Sequence, residues 1–181
     1  MDRYQKETIW MYGDQGERVL ARYPVGKDGP AYAIATNFTD QRFACPSQAL
    51  RRLLAQHVPV WGYEFADREA PFVLPDWIVG LDLGAYHASE LAYVFGTRWV
   101  FADPKRFTPE QKALSERMQK LWATFGRSAF AAEWPRVEGA GPVRVFKPEG
   151  DVMDDGFFER HHCDFWDCLL YTSDAADEED S

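Results

Sequence analysis

Cysteine is scarce in this chain of 181 residues: there are 3, Cys45, Cys163 and Cys168, and no two form a CxxC pair. That excludes a disulfide-dense scaffold and the usual zinc-ligand spacing. No apolar run approaches the ~18 residues of a membrane-spanning helix. The opening MDRYQKETIW also lacks the apolar stretch of a secretory signal, so no membrane partner is expected. Positive charge is short as well, with 20 Lys and Arg against 29 Asp and Glu and a net charge of −9. Such a balance repels a phosphate backbone, and no nucleic-acid partner is expected. Aromatic residues, by contrast, are abundant: 7 Trp, 8 Tyr and 13 Phe. Chains that stay unfolded do not carry them at this level, because such rings collapse out of water. The length suffices for one buried core and falls short of two comfortable domains.

Along the chain, residues 1–37 read as irregular, because Gly13, Gly16, Pro24, Gly26, Gly29 and Pro30 interrupt short polar stretches. One short helix is expected near Glu17 to Tyr23. After Cys45, apolar residues at helical spacing (Ala49, Leu50, Leu53, Leu54) predict a helix of about ten residues, closed by Pro59. Residues 58–66, with Val60, Trp61, Tyr63 and Phe65, predict a buried central strand. A loop rich in Pro, Asp and Gly follows from Asp67 to Gly84, then a short helix from Ser89 to Phe95 ending at Gly96. The best helix signal runs from Thr108 to Phe125: Thr108 as N-cap, Pro109 at the first position, Gln111 completing a capping box, and Gly126 as terminator. Pro142 to Phe146 reads as a strand and Gly156 to Asp167 as a last helix. This order implies an α/β layer.

The sharpest local pattern is Leu83 to Gly96, LGAYHASELAYVFG. A histidine on a loop at a helix start presents its imidazole to a cleft while Leu91, Val94 and Phe95 anchor the helix behind it. On chemistry alone His87 is either such a group or a surface or structural histidine. The segment resembles the histidine motif of the type B carboxylesterases, the cholinesterase-like branch of the α/β-hydrolases, at Gly84, His87, Glu90, Leu91, Tyr93, Val94, Phe95 and Gly96. FACP (Phe43 to Pro46), the strand ending Phe65-Ala66-Asp67-Arg68, the LSERMQKLWATF helix, Trp134-Pro135 and CDFWD (Cys163 to Asp167) follow in the family's order, from about residue 38 to 167.

The resemblance implies an α/β fold, namely the C-terminal part of an α/β-hydrolase: the last sheet strands plus C-terminal helices. It divides the chain into a lead-in segment (1–37), the C-terminal part of the hydrolase domain (38–168) and an acidic tail (169–181), disordered or non-native. His87 takes the place of the general base of a serine esterase. Glu90, three residues on and sharing its face, is implied as a supporting structural residue, since the family's triad acid comes from a strand end well upstream of the histidine. No GxSxG is present, and Gly126-Arg127-Ser128-Ala129-Phe130 lacks the second glycine and follows the histidine. The nucleophile, the acid and the oxyanion glycines are therefore expected upstream, in a missing N-terminal part of the same domain, which leaves the chain alone inactive. The substrate class is a small-molecule carboxylic ester, with Trp61, Tyr86 and Trp99 as candidates for the alcohol side of the pocket. No cofactor or metal is expected; His161, His162 and Cys163 are adjacent in sequence and their side chains diverge.

Cys45 and Cys163 fall where the family commonly has a disulfide; otherwise they are two buried thiols. A secreted or periplasmic parent is one expectation for the compartment. Asn37-Phe38-Thr39 is a glycosylation sequon only in a eukaryotic secretory protein. Trp122 and Phe125 read as core. The alternative function is a catalytically silent cholinesterase-like adhesion or binding protein.

Overall fold

The structure, a computed structural model, describes residues 3–73, 84–99, 101–128, 134, 136 and 141–169. They form helices and a small sheet, and the chain divides into two compact units, Met1–Leu53 with Gly156–Ser181 and Leu54–Asp155. Residues 74–83, within the expected Asp67–Gly84 loop, Pro135 and the acidic tail from residue 170 lie outside the described residues.

The first unit corrects the expectation of irregularity. Residues 3–39 hold three helices, α1 (Arg3–Tyr12), α2 (Gly16–Arg22) and α3 (Gly29–Thr39). The expected breakers sit at the joints: Gly13 and Gly29 have φ of +53° and +83°, and Pro30 occupies the first turn of α3, where its missing N–H costs nothing. One wide π-helical turn, Asp40–Ala44, leads into α4 (Cys45–Ala55). Pro46 supplies the reason, since it lacks an N–H and its ring crowds the carbonyl four residues back. Asn37 is buried, and its Oδ1 accepts from the Tyr12 hydroxyl at 2.9 Å, so the folded unit does not present the sequon.

The expected last helix is two pieces, Phe157–Arg160 and residues 163–169, parted by His162 at φ +53°. The break lets Cys163 reach Cys45, and the two form a disulfide with a Cα separation of 5.2 Å. Val19, Tyr23, Trp166 and Leu169 pack around it as the core of this unit.

In the second unit β1 (Tyr63–Phe65) is shorter than expected and, among the described residues, lies at the sheet edge, not its centre. Pro59 lies within the expected strand, and only three residues join the ladder. Helix α5 (Glu90–Phe95) and helix α6 (Pro109–Ser128) follow. The capping box forms as expected: Gln111 N–H donates to Thr108 Oγ1 at 3.2 Å, and Thr108 N–H to Gln111 Oε1 at 3.0 Å. Helix α6 passes through Gly126, because one interior glycine costs only about 1 kcal/mol. Its Leu114 and Met118 are fully buried, and Trp122 packs edge-on against Tyr63 at 4.9 Å.

β2 (Val143–Phe146) runs parallel to β1, with Tyr63 opposite Arg144 and Phe65 opposite Phe146. β3 (Val152–Asp154), which the acidic sequence around it concealed, pairs antiparallel to β2 with Val143 opposite Asp154. Asp151, nearly buried, ties this hairpin to α6. It accepts from Arg144 Nη2 at 2.8 Å and from Arg117 Nη2 at 3.2 Å.

A bridge across 118 residues stabilises by about 4 to 5 kcal/mol at most in the loop-entropy account. Thiol titration of the unfolded, unreduced chain is expected to find one reactive group, and reduction to raise the count to the full 3. Three before reduction would mean that no bridge forms.

Candidate functional site

His87 stands in the turn that leads into α5. The Ser89 N–H and hydroxyl both donate to the Tyr86 carbonyl, at 3.0 and 2.6 Å, and this closes the turn around His87 and Ala88. Ala88 is left at φ +67°, a left-handed conformation costly for a residue with a Cβ. His87 is exposed, and the helix behind it is anchored by fully buried Ala92 and Tyr93. Gly96, at φ +61°, stops the helix. The turn also corrects one expectation. α5 begins only at Glu90, so His87 and Glu90 are not one helical turn apart on a common face. Glu90 instead occupies the first turn, where a carboxylate suits the helix dipole. After burial, it is the second influence raising the pKa of the Tyr63 phenol.

A carboxylate at the end of β1 holds this helix in place. Asp67 is 2% exposed. Its Oδ2 accepts from the Tyr93 hydroxyl of α5 at 2.6 Å and from Gln111 Nε2 of α6 at 2.9 Å, while Oδ1 accepts from the Glu69 N–H at 3.0 Å. Burial first and Asp67 second push the Tyr93 phenol far above its ordinary range, so it remains a donor. Gln111 is thus used at both ends, capping α6 through Oε1 and holding Asp67 through Nε2. Ser115 of α6 donates to the Tyr93 carbonyl at 2.7 Å. Sequence reasoning missed Asp67, whose only signal was an acid directly after an aromatic strand.

The three pocket candidates have different surroundings. Tyr86 is half-buried, its hydroxyl donating to the Pro71 carbonyl at 2.7 Å and its ring edge-on to Phe72 at 5.0 Å. Trp99 is 45% exposed in a small bridge with Ala102. Trp61 belongs to the aromatic packing between sheet and α6. Its Nε1 donates to the Trp134 carbonyl at 2.8 Å, and its ring meets Phe125 edge-on at 5.1 Å. In the first unit a second buried carboxylate, Asp40, lies 2.6 Å from His161 Nδ1 and accepts from the Tyr23 hydroxyl at 2.9 Å. Trp166 Nε1 in turn donates to that hydroxyl at 2.7 Å. Burial, then Arg22, lowers the pKa of neighbouring His162.

The family model described as the carboxylesterase family matches residues 2–166, which spans both units. The chain belongs to the carboxylesterase family. Among curated relatives it is similar to acetylcholinesterase from Bungarus fasciatus, 26% identical over 139 residues, 72% of this chain and 22% of that protein. It is 32% identical to acylcarnitine hydrolase from Rattus norvegicus over 117 residues, 62% of this chain and 20% of that one. With cocaine esterase from Homo sapiens it shares 27% identity over 156 residues, 78% of this chain and 26% of that protein. This carboxylesterase-family chain therefore spans about a quarter or less of the length of these relatives.

Two measurements probe the site's scaffold. Tyr93→Phe takes one of three donors from the buried Asp67 carboxylate, and is expected to cost about 1 to 3 kcal/mol in urea unfolding. Burial pushes both Tyr86 and Tyr12 up to about 12, from an ordinary 10.0. A raised folded-state pKa contributes stability that is complete below the unfolded value and lost as pH climbs through the folded one. Alkaline unfolding is thus expected between pH 10 and 12, with phenolate absorbance rising together with loss of helical circular dichroism. Full ionisation of a still-folded chain at pH 10 would contradict it.

Proposed function

We propose that this chain is the histidine-bearing, C-terminal part of a serine carboxylic-ester hydrolase, with His87 as its general base. The supporting observation is the exposed His87 in a tight turn, next to Ala88 at φ +67° and ahead of a helix held by a buried carboxylate. Strained backbone and an outward histidine on a rigid support are what a proton carrier needs: fixed direction and access to substrate. The parallel pairing of β1 and β2 supports reading them as the last strands of an α/β-hydrolase sheet.

In the reaction His87 takes the proton from a serine hydroxyl as that oxygen bonds to the ester carbonyl carbon. The carbonyl electrons move onto oxygen and are met by backbone donors. As the tetrahedral species collapses, the imidazolium gives its proton to the departing alcohol, and a water repeats the cycle on the acyl-enzyme. The serine, the triad acid and the oxyanion donors belong to an amino-terminal part of the same domain, outside these 181 residues. Tyr86, Trp99 and Trp61 are assigned to the alcohol side of a pocket for a small carboxylic ester. Glu90 serves the helix and not the proton.

The base contributes only beside its nucleophile, so its loss is strongly non-additive with loss of the serine. In the complete enzyme His87→Ala is expected to lower kcat by on the order of 10⁴-fold with KM little changed. The 181 residues alone are expected to hydrolyse a p-nitrophenyl ester no faster than their own His87→Ala variant, with circular dichroism showing both folded. His87-dependent turnover by the isolated chain would relocate the nucleophile to this sequence, with Ser89 the first suspect.

A further inference from the structure

From α3 through the π-helical turn into α4 the chain of the first unit stays helical, with Asp40 at φ −65° and ψ −45° and Cys45 at φ −72° and ψ −41°. Its buried residues recur at helical spacing along one side: Ala33, Asn37, Asp40, Ala44, Cys45 and Gln48. On that side Cys45 enters the core of the unit and is bridged to Cys163. The larger apolar side chains stand elsewhere. Phe38, Phe43, Leu50 and Leu53 are each between 43% and 56% exposed. With the π-turn counted at its wider period, Phe38 and Leu50 fall opposite the buried line, and Phe43 and Leu53 flank them. The rings of Phe38 and Phe43 meet at 6.1 Å.

Single exposed apolar residues are ordinary, but a stripe of them at helical spacing is a face built to be covered. Helices bury such a face against another layer, and the opposite side of this one is already occupied by the unit's own core. Charge disfavours a second copy as the cover. Asp40 is the only acid from residue 29 to 55 and it is buried, so the charges exposed on this stretch, Arg42 and Arg52, are of one sign and would face their like. Chain length favours a different occupant. The stretch shared with the matched relatives covers 22%, 20% and 26% of their lengths, so most of a protein of that length lies outside it.

We propose that this stripe is the docking face for the amino-terminal part of the same domain, which covers Phe38, Phe43, Leu50 and Leu53 with an apolar surface of its own and sets a carboxylate against Arg42. Such docking rests on the proposed reading of the chain as one part of a longer hydrolase, and it fixes a place where the parts meet. Covering what is left open of each of these side chains favours the docked state by about tenfold. Docking needs no ester hydrolysis, so its test stands apart from that of His87.

The test is thiol footprinting of Leu50→Cys and, as an independent variant, Leu53→Cys, with circular dichroism showing each folded. A maleimide labels the new thiol, its rate is read peptide by peptide by mass spectrometry, and the same protein unfolded in urea is the reference. In the 181-residue chain the rate is expected within about tenfold of the unfolded one, and in the complete enzyme about 100-fold or more below it. Rapid labelling of both variants in the folded complete enzyme would overturn the proposal. So would protection in the 181-residue chain that grows with its concentration, which gives the face to a second copy. Protection in the complete protein without His87-dependent hydrolysis would uphold this face and remove the esterase reading. Hydrolysis without protection would do the reverse.

Discussion

The second unit is organised by the need to satisfy one buried carboxylate. A carboxylate shut off from water needs donors, and the three that Asp67 has come from the turn after β1, from α5 and from α6. Each donor fixes the element that carries it. Tyr93 is set at 2.6 Å from Asp67 while Ser115 grips its carbonyl, so α5 is bound at side chain and backbone at once. The turn holding His87 inherits its position from that grip, because the buried face of α5 leaves it no other way to lie. Partial removal of such a network is worse than an apolar core in its place, which makes Asp67, Tyr93 and Gln111 a set.

The role proposed for His87 requires that it return to the same place in each cycle, and a loop gains that constancy from what stands behind it. Here the support is aromatic as well as polar: Phe107 stacks on Tyr93 at 4.1 Å and Phe65 lies 4.9 Å from it. The abundance of rings in the composition goes into such packing, around Trp122 and Trp134 in one unit and around Trp166 in the other.

Local signals were legible in the sequence wherever neighbouring residues decide the structure. The capping box of α6, Gly96 at the end of α5 and the strand at Val143–Phe146 depend on residues within a few positions. The pairing of Cys45 with Cys163 came through likeness to a family, since spacing alone carries no information about a bridge across 118 residues. Where the sequence misled, partners distant along the chain or ambiguous punctuation were the cause. Gly13, Gly29 and Pro30 mark the limits of helices as readily as their absence. β3 is held by pairing with β2 and by Asp151 against two arginines, which outweighs the poor strand preference of its acids. Of the candidate site, His87 could be found from its motif, but the turn that separates it from Glu90 required the backbone.

The first unit is built from two stretches of chain, and the whole of the second unit is spelled between them. During synthesis on a ribosome, α1 to α3 emerge more than a hundred residues before Trp166 and Cys163, which complete their core. Residues 54–155 are contiguous and carry their core cluster within themselves as soon as they leave the exit tunnel. The order of translation and the order of completion are therefore reversed. Within this chain, Val19 and Tyr23 remain without their Trp166 partner until the carboxyl-terminal stretch arrives.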